Sequence, residues 1–467
     1  MTRARLDGFF LFLLGSAMFV WLGFAAERAS PVSMADFKGL YYGARCLLQH
    51  SDPYRESELL RIYQSEGGDR PSDSTGHRQV VTLCVNPPTA FILTVPFALL
   101  AWGPAHLLWT ILTAAGFIVA AFLTWSLGAD HAPVATGALV CIFLFNSELL
   151  LEIGNASGLA ISLCVIAVWC FVQERSAPAG ILCFALSLTV KPHIAALVWL
   201  YFLLSGGLYR KRALQTLAVT VVLALPAILG VWHIAPHWIA ELQTNLQTTS
   251  AHGNLNDPGP ATVDPRIHGA LIIDLQSAIS ILRDDPRIYN PATYLICAPL
   301  LLIWAVAALR KRPPQKNTWL ALAAIAALSM LPVYHRTHDT RLLLLTLPAF
   351  AILWAKGGLN KWLALVFTGA GAAFIGVTPE RLLDIYSIHL RQSTPGLPGL
   401  LLTLVLTRPV PLILLIMGTF YLWVYVRHNP AVKASAGPEG SVQEPRAPVL
   451  LKFHKPESAF PGRRSLL

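Results

Sequence analysis

Lys191, followed at once by Pro192 and His193, interrupts the apolar stretch Leu182 to Leu204. An ammonium at a bilayer centre costs about 2.5 to 3.5 kcal/mol, and a proline disfavours helical geometry in the residue before it. The stretch therefore reads as two short helices meeting at Lys191. The charge stands at a membrane face or cavity, where it binds an anionic ligand or pairs with a buried acid. A second cluster, Tyr334-His335-Arg336-Thr337-His338-Asp339-Thr340-Arg341, gathers four basic-capable side chains around one acid. It reads as part of a site for an anion or as a solvated turn. Asp36, in the run Ala35-Asp36-Phe37-Lys38-Gly39-Leu40-Tyr41-Tyr42, is an outer acid that either joins a reacting site or pairs with Lys38 or Arg45 on a wet helix face. Asp52-Pro53-Tyr54 follows it. Tyr41, Tyr42 and Tyr54 also suit interfacial aromatic anchors. Asn86-Pro87-Pro88 starts a helix or lines a site, and Glu152 with Asn155 caps a loop or joins one. Arg408 either snorkels or contacts phosphate.

Composition dictates the elements that must position these residues. The chain has 467 residues, 55% of them hydrophobic and 13% charged, with a mean hydropathy of +0.55. That is too apolar for a soluble protein and long enough for about a dozen spans of about 20 residues. Each span must satisfy its own backbone, so the expected fold is an all-α polytopic bundle, and the alternating pattern of barrel strands is not seen. Spans are predicted over 8–26, 104–128, 133–151, 155–172, 178–190, 192–205, 213–231, 291–309, 318–333, 341–355, 361–377 and 398–426. The segments 27–103 and 232–290 read as outer loops. The first carries an amphipathic segment from Ala35 to Tyr54 at the membrane surface and an interfacial or re-entrant helix from Asn86 to Trp102. The first apolar run is too long for the core of a signal peptide, so an uncleaved helix is expected. The tail, 427–467, is rich in Pro, Gly, Ser and charge and is expected to be disordered and cytoplasmic.

Charge orients this bundle. With a cytoplasmic amino terminus, the inner segments hold the Arg210-Lys211-Arg212 and Arg310-Lys311-Arg312 clusters and the basic tail, a net +13. The outer side carries −3, which together make the chain's +10. The basic balance is thus a positive-inside signature of a multi-pass inner (plasma) membrane protein and gives no support for nucleic-acid binding. All the chemistry-bearing turns then share the outer, extracytoplasmic face. An acid, several cations and aromatics converging there suit a reaction on a lipid-borne anion. Cys46 and Cys84 fall in the first outer loop and can pair in an oxidising compartment, whereas the other five Cys lie in spans. No metal-ligand spacing, phosphate-cradling Gly loop or nucleophile elbow is present, so neither metal nor cofactor is expected.

Taken together, the Asp36 run, Asp52-Pro-Tyr54, Asn86-Pro-Pro, Gly154-Asn155, Lys191-Pro-His193 and the His338-Asp339 turn resemble glycosyltransferase family 87. This family groups polyprenyl-phosphate-mannose-dependent α-mannosyltransferases of the GT-C superfamily. The resemblance runs from Gly8 to Val426, with Gly-Gln and Lys-Pro-Gln in the family where this chain has Gly154-Asn155 and Lys191-Pro192-His193. It implies a single GT-C-like transmembrane domain over 1–426. The implied activity moves a hexose, mannose by this likeness, from a polyprenyl-phosphate donor to a glycan, glycolipid or protein acceptor. Asp36 would be the general base. Lys191, His193, His335, Arg336, His338 and Arg341 would be the donor-phosphate partners, supported by Tyr42, Asp52, Tyr54, Asn86, Glu152, Asn155 and Asp339. The alternative is a secondary transporter or lipid flippase with Lys191 and Glu152 as a buried ion pair, but the polar residues gather on one face and not two.

The charge partition makes a topological prediction. Reporter fusions after Ser205 and Leu309 read as cytoplasmic, and fusions at Pro71 and Asp257 as extracytoplasmic. A cytoplasmic signal at Pro71 would move Asp36 to the wrong face for this chemistry.

Overall fold

The computed structural model describes residues 2–30, 33–68, 75–259, 272–310, 315–376 and 396–427. The tail from 428 onward and the basic pair Lys311 and Arg312 lie outside the described residues. Among the described residues the regular structure is helical, and the one strand-like pairing is an antiparallel bridge between Ile272 and Arg336. Helix α1 (Arg3–Ala29) is followed by four short helices, α2 (Ala35–Leu48), α3 (Glu56–Ser65), α4 (Thr75–Thr82) and α5 (Phe91–Ala98). Then come α6 (Trp102–Gly128), α7 (Pro133–Phe145), α8 (Leu149–Glu152), α9 (Ser157–Val172), α10 (Ala177–Val190), α11 (Pro192–Leu204) and α12 (Gly207–Ile234). Helices α13 (Trp238–Ser250), α14 (Leu275–Ser280), α15 (Pro286–Arg310) and α16 (Gln315–Leu328) lead to a 3₁₀ segment, Thr337–Thr346. The chain continues through α17 (Leu347–Lys356), α18 (Leu359–Phe374) and two last helices, Leu397–Thr407 and Pro409–Arg427.

Among the described residues, six segments are long and apolar enough to cross a membrane: α1, α6, Pro133–Glu152, α12, α15 and Pro409–Arg427. The apolar helices α9, α10 and α11 are shorter, at 16, 14 and 13 residues. Large apolar side chains stand exposed along α12 and α15, among them Val222, Leu229, Leu295 and Leu302. Such surfaces are matched by lipid and not by water. Helix α9 is buried on almost every face, as is the 3₁₀ segment, which marks them as the centre of the bundle.

The chain does break at Lys191, where φ −141° and ψ 80° separate α10 from α11 ahead of Pro192. The stretch predicted as one span over 398–426 breaks in the same manner at Arg408, ahead of Pro409. The physical reason is the one that applies at Lys191, a cation whose next residue is a proline. The tyrosines of the Ala35–Tyr54 segment face the protein and not its surroundings. Helix α2 is buried along most of its length, and Tyr41, Tyr42 and Tyr54 are 1%, 2% and 1% exposed. Tyr41 and Tyr42 pack on each other and on Trp102, and Tyr54 on Phe91 and Trp238. They are core aromatics and not membrane anchors. Cys46 and Cys84 are both buried as free thiols.

Helices α1 and α7 approach through glycine. The buried stripe of α1 is Gly8, Phe12, Gly15, Phe19 and Gly23, at helical spacing. A Cβ on Gly137 of α7 would come within 2.5 Å of the Gly8 carbonyl oxygen, a backbone atom that cannot swing aside. Gly137→Ala is therefore expected to destabilise the protein by about 1 to 3 kcal/mol. Gly103→Ala, where nothing lies within 4 Å, is expected to be neutral or stabilising. Thermal unfolding in detergent compares the two, and equal melting temperatures would show that the α1–α7 contact is loose.

Candidate active site

Asp36 lies in the first turn of α2, and the way that turn is anchored decides where its carboxylate points. The first N–H groups of a helix have no partner within the helix. Here the carbonyl of Glu152 accepts from Met34 N at 2.8 Å, and that of Ile153 accepts from Asp36 N at 3.0 Å and Phe37 N at 3.4 Å. So close a docking needs a glycine in the turn. Gly154 has φ +67°, and a Cβ there would come within 2.8 Å of Phe37 Cβ and 2.9 Å of Met34 Cε. Trp109 Nε1 donates to the Gly154 carbonyl at 3.0 Å and holds the turn from the other side.

This docking sets Asn155 beside Asp36. Asn155 Nδ2 donates to Asp36 Oδ2 at 2.6 Å, and Asn155 Oδ1 accepts from Lys191 Nζ at 3.0 Å and from Ser157 N at 2.8 Å. One amide thus joins an acid to a cation, and only this orientation of the amide satisfies all three partners. Lys191 Nζ also donates to Ser157 Oγ at 2.6 Å, and Ser157 Oγ donates to Asp339 Oδ1 at 2.5 Å. Burial raises the Asp36 pKa above the ordinary carboxylate value. The Asn155 hydrogen bond and the charges of Arg336 and Lys191 oppose that shift, and Asp339 adds to it. A raised carboxylate pKa moves a base toward the pH at which it must work.

Asp339 organises the second basic cluster. Its Oδ1 also lies 3.5 Å from Lys191 Nζ and 3.4 Å from His338 Nε2, while Oδ2 takes contacts from His335 Nδ1 and Arg336 N, each at 3.1 Å. Arg336 is directed by Nε to Tyr334 Oη and by a terminal nitrogen to Leu255 O and Asn256 Oδ1. His335 O accepts from Ile273 N, so the turn is laced to the segment before α14.

Asp36, Asn86, Asn155, Lys191, His193, Arg336 and His338 all line one cavity of about 740 Å³, within the range of small-molecule sites. The remaining predicted residues stand behind its walls. Arg341, fully buried, donates to the carbonyls of Thr337 and of Asn146, and so pins the 3₁₀ segment to the end of α7. His335 lies behind His193, with ring centroids 5.0 Å apart. Asp52 accepts from Tyr54 N at 2.9 Å, and Tyr54 Oη donates to the Asn86 carbonyl at 3.0 Å. Asn245 reaches Tyr54 O and Cys84 O, tying this wall to α13. Burial lifts the Asp52 carboxyl to about 6. Tyr42 packs on Tyr63 and Trp102, and Glu152 contributes its backbone carbonyl to the α2 turn.

Sequence reasoning passed over Ser157, the bridge between Lys191 and Asp339, although Asn155-x-Ser157 is a turn signal. It also passed over Asp274, whose Oδ1 accepts from Ser277 N at the start of α14, a readable N-cap. Asp274 lines the cavity, and burial pushes its carboxyl up to about 6. His193, His335 and Asp339 present three metal-ligating atoms within 4.8 Å of one another. Both Asp339 oxygens are already engaged, so a metal ion would compete with Lys191, His335 and Arg336 for them.

The sequence model of glycosyltransferase family 87 matches residues 85–333, more than half of the chain. The chain belongs to glycosyltransferase family 87. Neither the curated proteins nor the solved structures include a match to it. Residues 85–333 carry Asn155, Lys191 and His193 of this membrane glycosyltransferase, while Asp36 and the 334–341 turn reach the same cavity from outside that span.

In a family 87 glycosyltransferase whose acid depends on a neutral amide, the amide's polarity is the test. Asn155→Asp removes the Nδ2 donor and sets a second carboxylate against Asp36, so transfer should fall roughly ten- to hundredfold, the worth of a charge-assisted hydrogen bond. The acid limb of the pH–rate profile should move to higher pH, because a neighbouring negative charge raises a carboxyl pKa. Asn155→Gln, which keeps the amide and is the residue the family pattern carries here, should retain most of the rate. Equal rates for the Asp and Gln variants would show that Asn155 does not set the state of Asp36.

Proposed function

We propose that the protein transfers a hexose, mannose by its family resemblance, from a polyprenyl-phosphate donor to a glycan, glycolipid or protein acceptor at the outer face of the plasma membrane. The observation that carries this reading is the Asn155 amide, which holds Asp36 and Lys191 as a base and a cation side by side on the wall of one cavity. Transfer with inversion needs both. The acceptor hydroxyl oxygen attacks the anomeric carbon while its proton passes to Asp36. The bond from that carbon to the phosphate oxygen breaks, and the electron pair leaves with the polyprenyl phosphate. Lys191 and Arg336 are the cations that would stabilise the charge on the departing phosphate. His193 and His338 are the neighbouring donors, and the prenyl chain would run along the apolar groove beside Asn86 to Trp102.

The experiment pairs two readouts in one preparation, using labelled polyprenyl-phosphate mannose. Asp36→Asn keeps size and most hydrogen bonding but loses the basic lone pair. Transfer is expected to fall by about 10² to 10⁴ while donor binding persists. In the wild type, activity should be lost as pH falls through the raised pKa of Asp36, above the ordinary carboxylate range. Normal transfer by the Asn variant would reduce Asp36 to a structural partner of Asn155 and overturn the mechanism.

A further inference from the structure

Where the first turn of α11 meets the turn after α16, three metal-ligating groups converge. His193, His335 and Asp339 each offer one ligand atom, and the three atoms lie within 4.8 Å of one another. The sequence hides this cluster, because α11 brings one histidine and the segment after α16 brings the other two residues. His335 Nδ1 stands 3.1 Å from Asp339 Oδ2. Ligand atoms about 2.1 Å from a tetrahedral ion are about 3.4 Å apart, so this pair already spans one edge of such a site. His193 is the exposed member of the three, with its ring centroid 5.0 Å from that of His335, and a turn of its side chain can close the remaining gap. The buried pair is held in place without an ion. The His335 carbonyl accepts from Ile273 N at 2.9 Å, and Arg336 N donates to Asp339 Oδ2 at 3.1 Å, while Oδ1 keeps Ser157 and Lys191. The other nitrogen of His335, Nε2, is buried with no hydrogen-bond partner among the described residues. The ring proton can therefore reside on Nε2 and leave the Nδ1 lone pair to an ion at the cost of one hydrogen bond.

We propose that His193, His335 and Asp339 form a binding site for a transition-metal dication of the Zn²⁺ class. Two imidazoles and one carboxylate suit such an ion, whereas Mg²⁺ and Ca²⁺ prefer oxygen ligands alone. His193 lines the cavity, so a fourth position would open on that side to a water or an anionic oxygen. The surrounding charges oppose one another. Lys191 Nζ lies 3.5 Å from Asp339 Oδ1, and Arg336 and Arg408 add positive charge, while Asp36 and Asp274 add negative charge. With those fields near balance, the affinity rests on the imidazole lone pairs and is moderate, a Kd of about 1 to 100 µM. The site goes beyond the transferase reading and does not rest on it. His193 also stands where the family 87 pattern carries Gln, so the ion is a property of this chain and not of the family pattern.

The test is a direct titration of the full-length, tag-free protein in detergent, stripped beforehand with a chelator. Calorimetry with Zn²⁺ should show one saturable site per chain, and Mg²⁺ under the same conditions should show none. Co²⁺, as a coloured stand-in, should give the intense visible absorption of a four-coordinate ion. His193→Gln, an exposed change to the residue the family pattern carries, should weaken Zn²⁺ by at least about tenfold and abolish the Co²⁺ absorption. Without metal, the variant should melt at the wild-type temperature. With Zn²⁺, the wild type should gain more in melting temperature than the variant, because an ion that binds only the folded state stabilises it. No saturable Zn²⁺ binding below about 1 mM, equal Zn²⁺ affinity in the variant, or Mg²⁺ binding as tight as Zn²⁺ would overturn the site. Transfer from polyprenyl-phosphate mannose, assayed with the chelator present, answers separately for the transferase reading. A protein that binds Zn²⁺ through His193 but transfers no sugar would sink that reading and leave the metal site standing.

Discussion

A neutral amide held between a carboxylate and an ammonium is the interaction on which the site depends. Asp36 sits in α2 and Lys191 at the break between α10 and α11, and each is costly to enclose alone in an apolar bundle. Asn155 lets them share a partner at 2.6 and 3.0 Å without a direct contact, so the acid commits only one oxygen to the bridge while the cation also reaches Ser157 and Asp339. A direct ion pair would quench both. The arrangement survives because the backbone around it is over-determined. The carbonyls of Glu152 and Ile153 cap α2, the positive φ of Gly154 brings them close, and Trp109 closes the turn. Ser157 then extends the chain of hydrogen bonds to Asp339, which balances the second cation cluster.

Much of the bundle was readable in the sequence, and the reasons are particular. Lys191 was visible as a break because a cation and a proline interrupt an apolar run together. Arg408 and Pro409 carry the same signal, yet they were absorbed into one long span because apolar residues continue on both sides. The pairing of Asp36 with Asn155, 119 residues apart, was beyond reach in detail. Polar residues on one face could be inferred from topology, but the 2.6 Å contact depends on a left-handed glycine and two carbonyls that leave no periodic trace. The tyrosines misled for another reason. Aromatics near a membrane interface suit anchoring and packing equally by composition, and only the presence of Trp102, Tyr63 and Trp238 around them decides for packing.

Arg341 shows how a charged side chain inside a membrane domain can be structural. Its guanidinium donors meet the carbonyls of Thr337 and Asn146, which joins the 3₁₀ segment to the end of α7. A 3₁₀ run of ten residues is long for its kind, because its hydrogen bonds are poorer than those of an α-helix. An arginine that ties down carbonyls at its start, and a capping box between Arg336 and Asp339, supply what the backbone geometry lacks. The same box fixes Asp339 under Lys191 and both histidines. The fold of this turn and the electrostatics of the cavity therefore share one carboxylate.

Charge conservation gives the proposed chemistry its logic. Around the reacting centre, Asp36 and Asp339 face Lys191 and Arg336, two acids against two cations. A donor phosphodiester adds one negative charge, and its departure as a monoester would add another. In a medium that screens weakly, an extra charge so close to Asp36 and Asp339 is expensive. The proton taken from the acceptor removes it. As Asp36 becomes neutral, the leaving phosphate gains the charge that Asp36 gives up, and the sum over the cavity stays constant through the step. That exchange works only if the acid and the cations share one field, which is what the Asn155 bridge provides. A carboxylate whose pKa is already raised by burial accepts the proton at less cost, so the enclosure that makes Asp36 awkward to fold also suits it to act as the base.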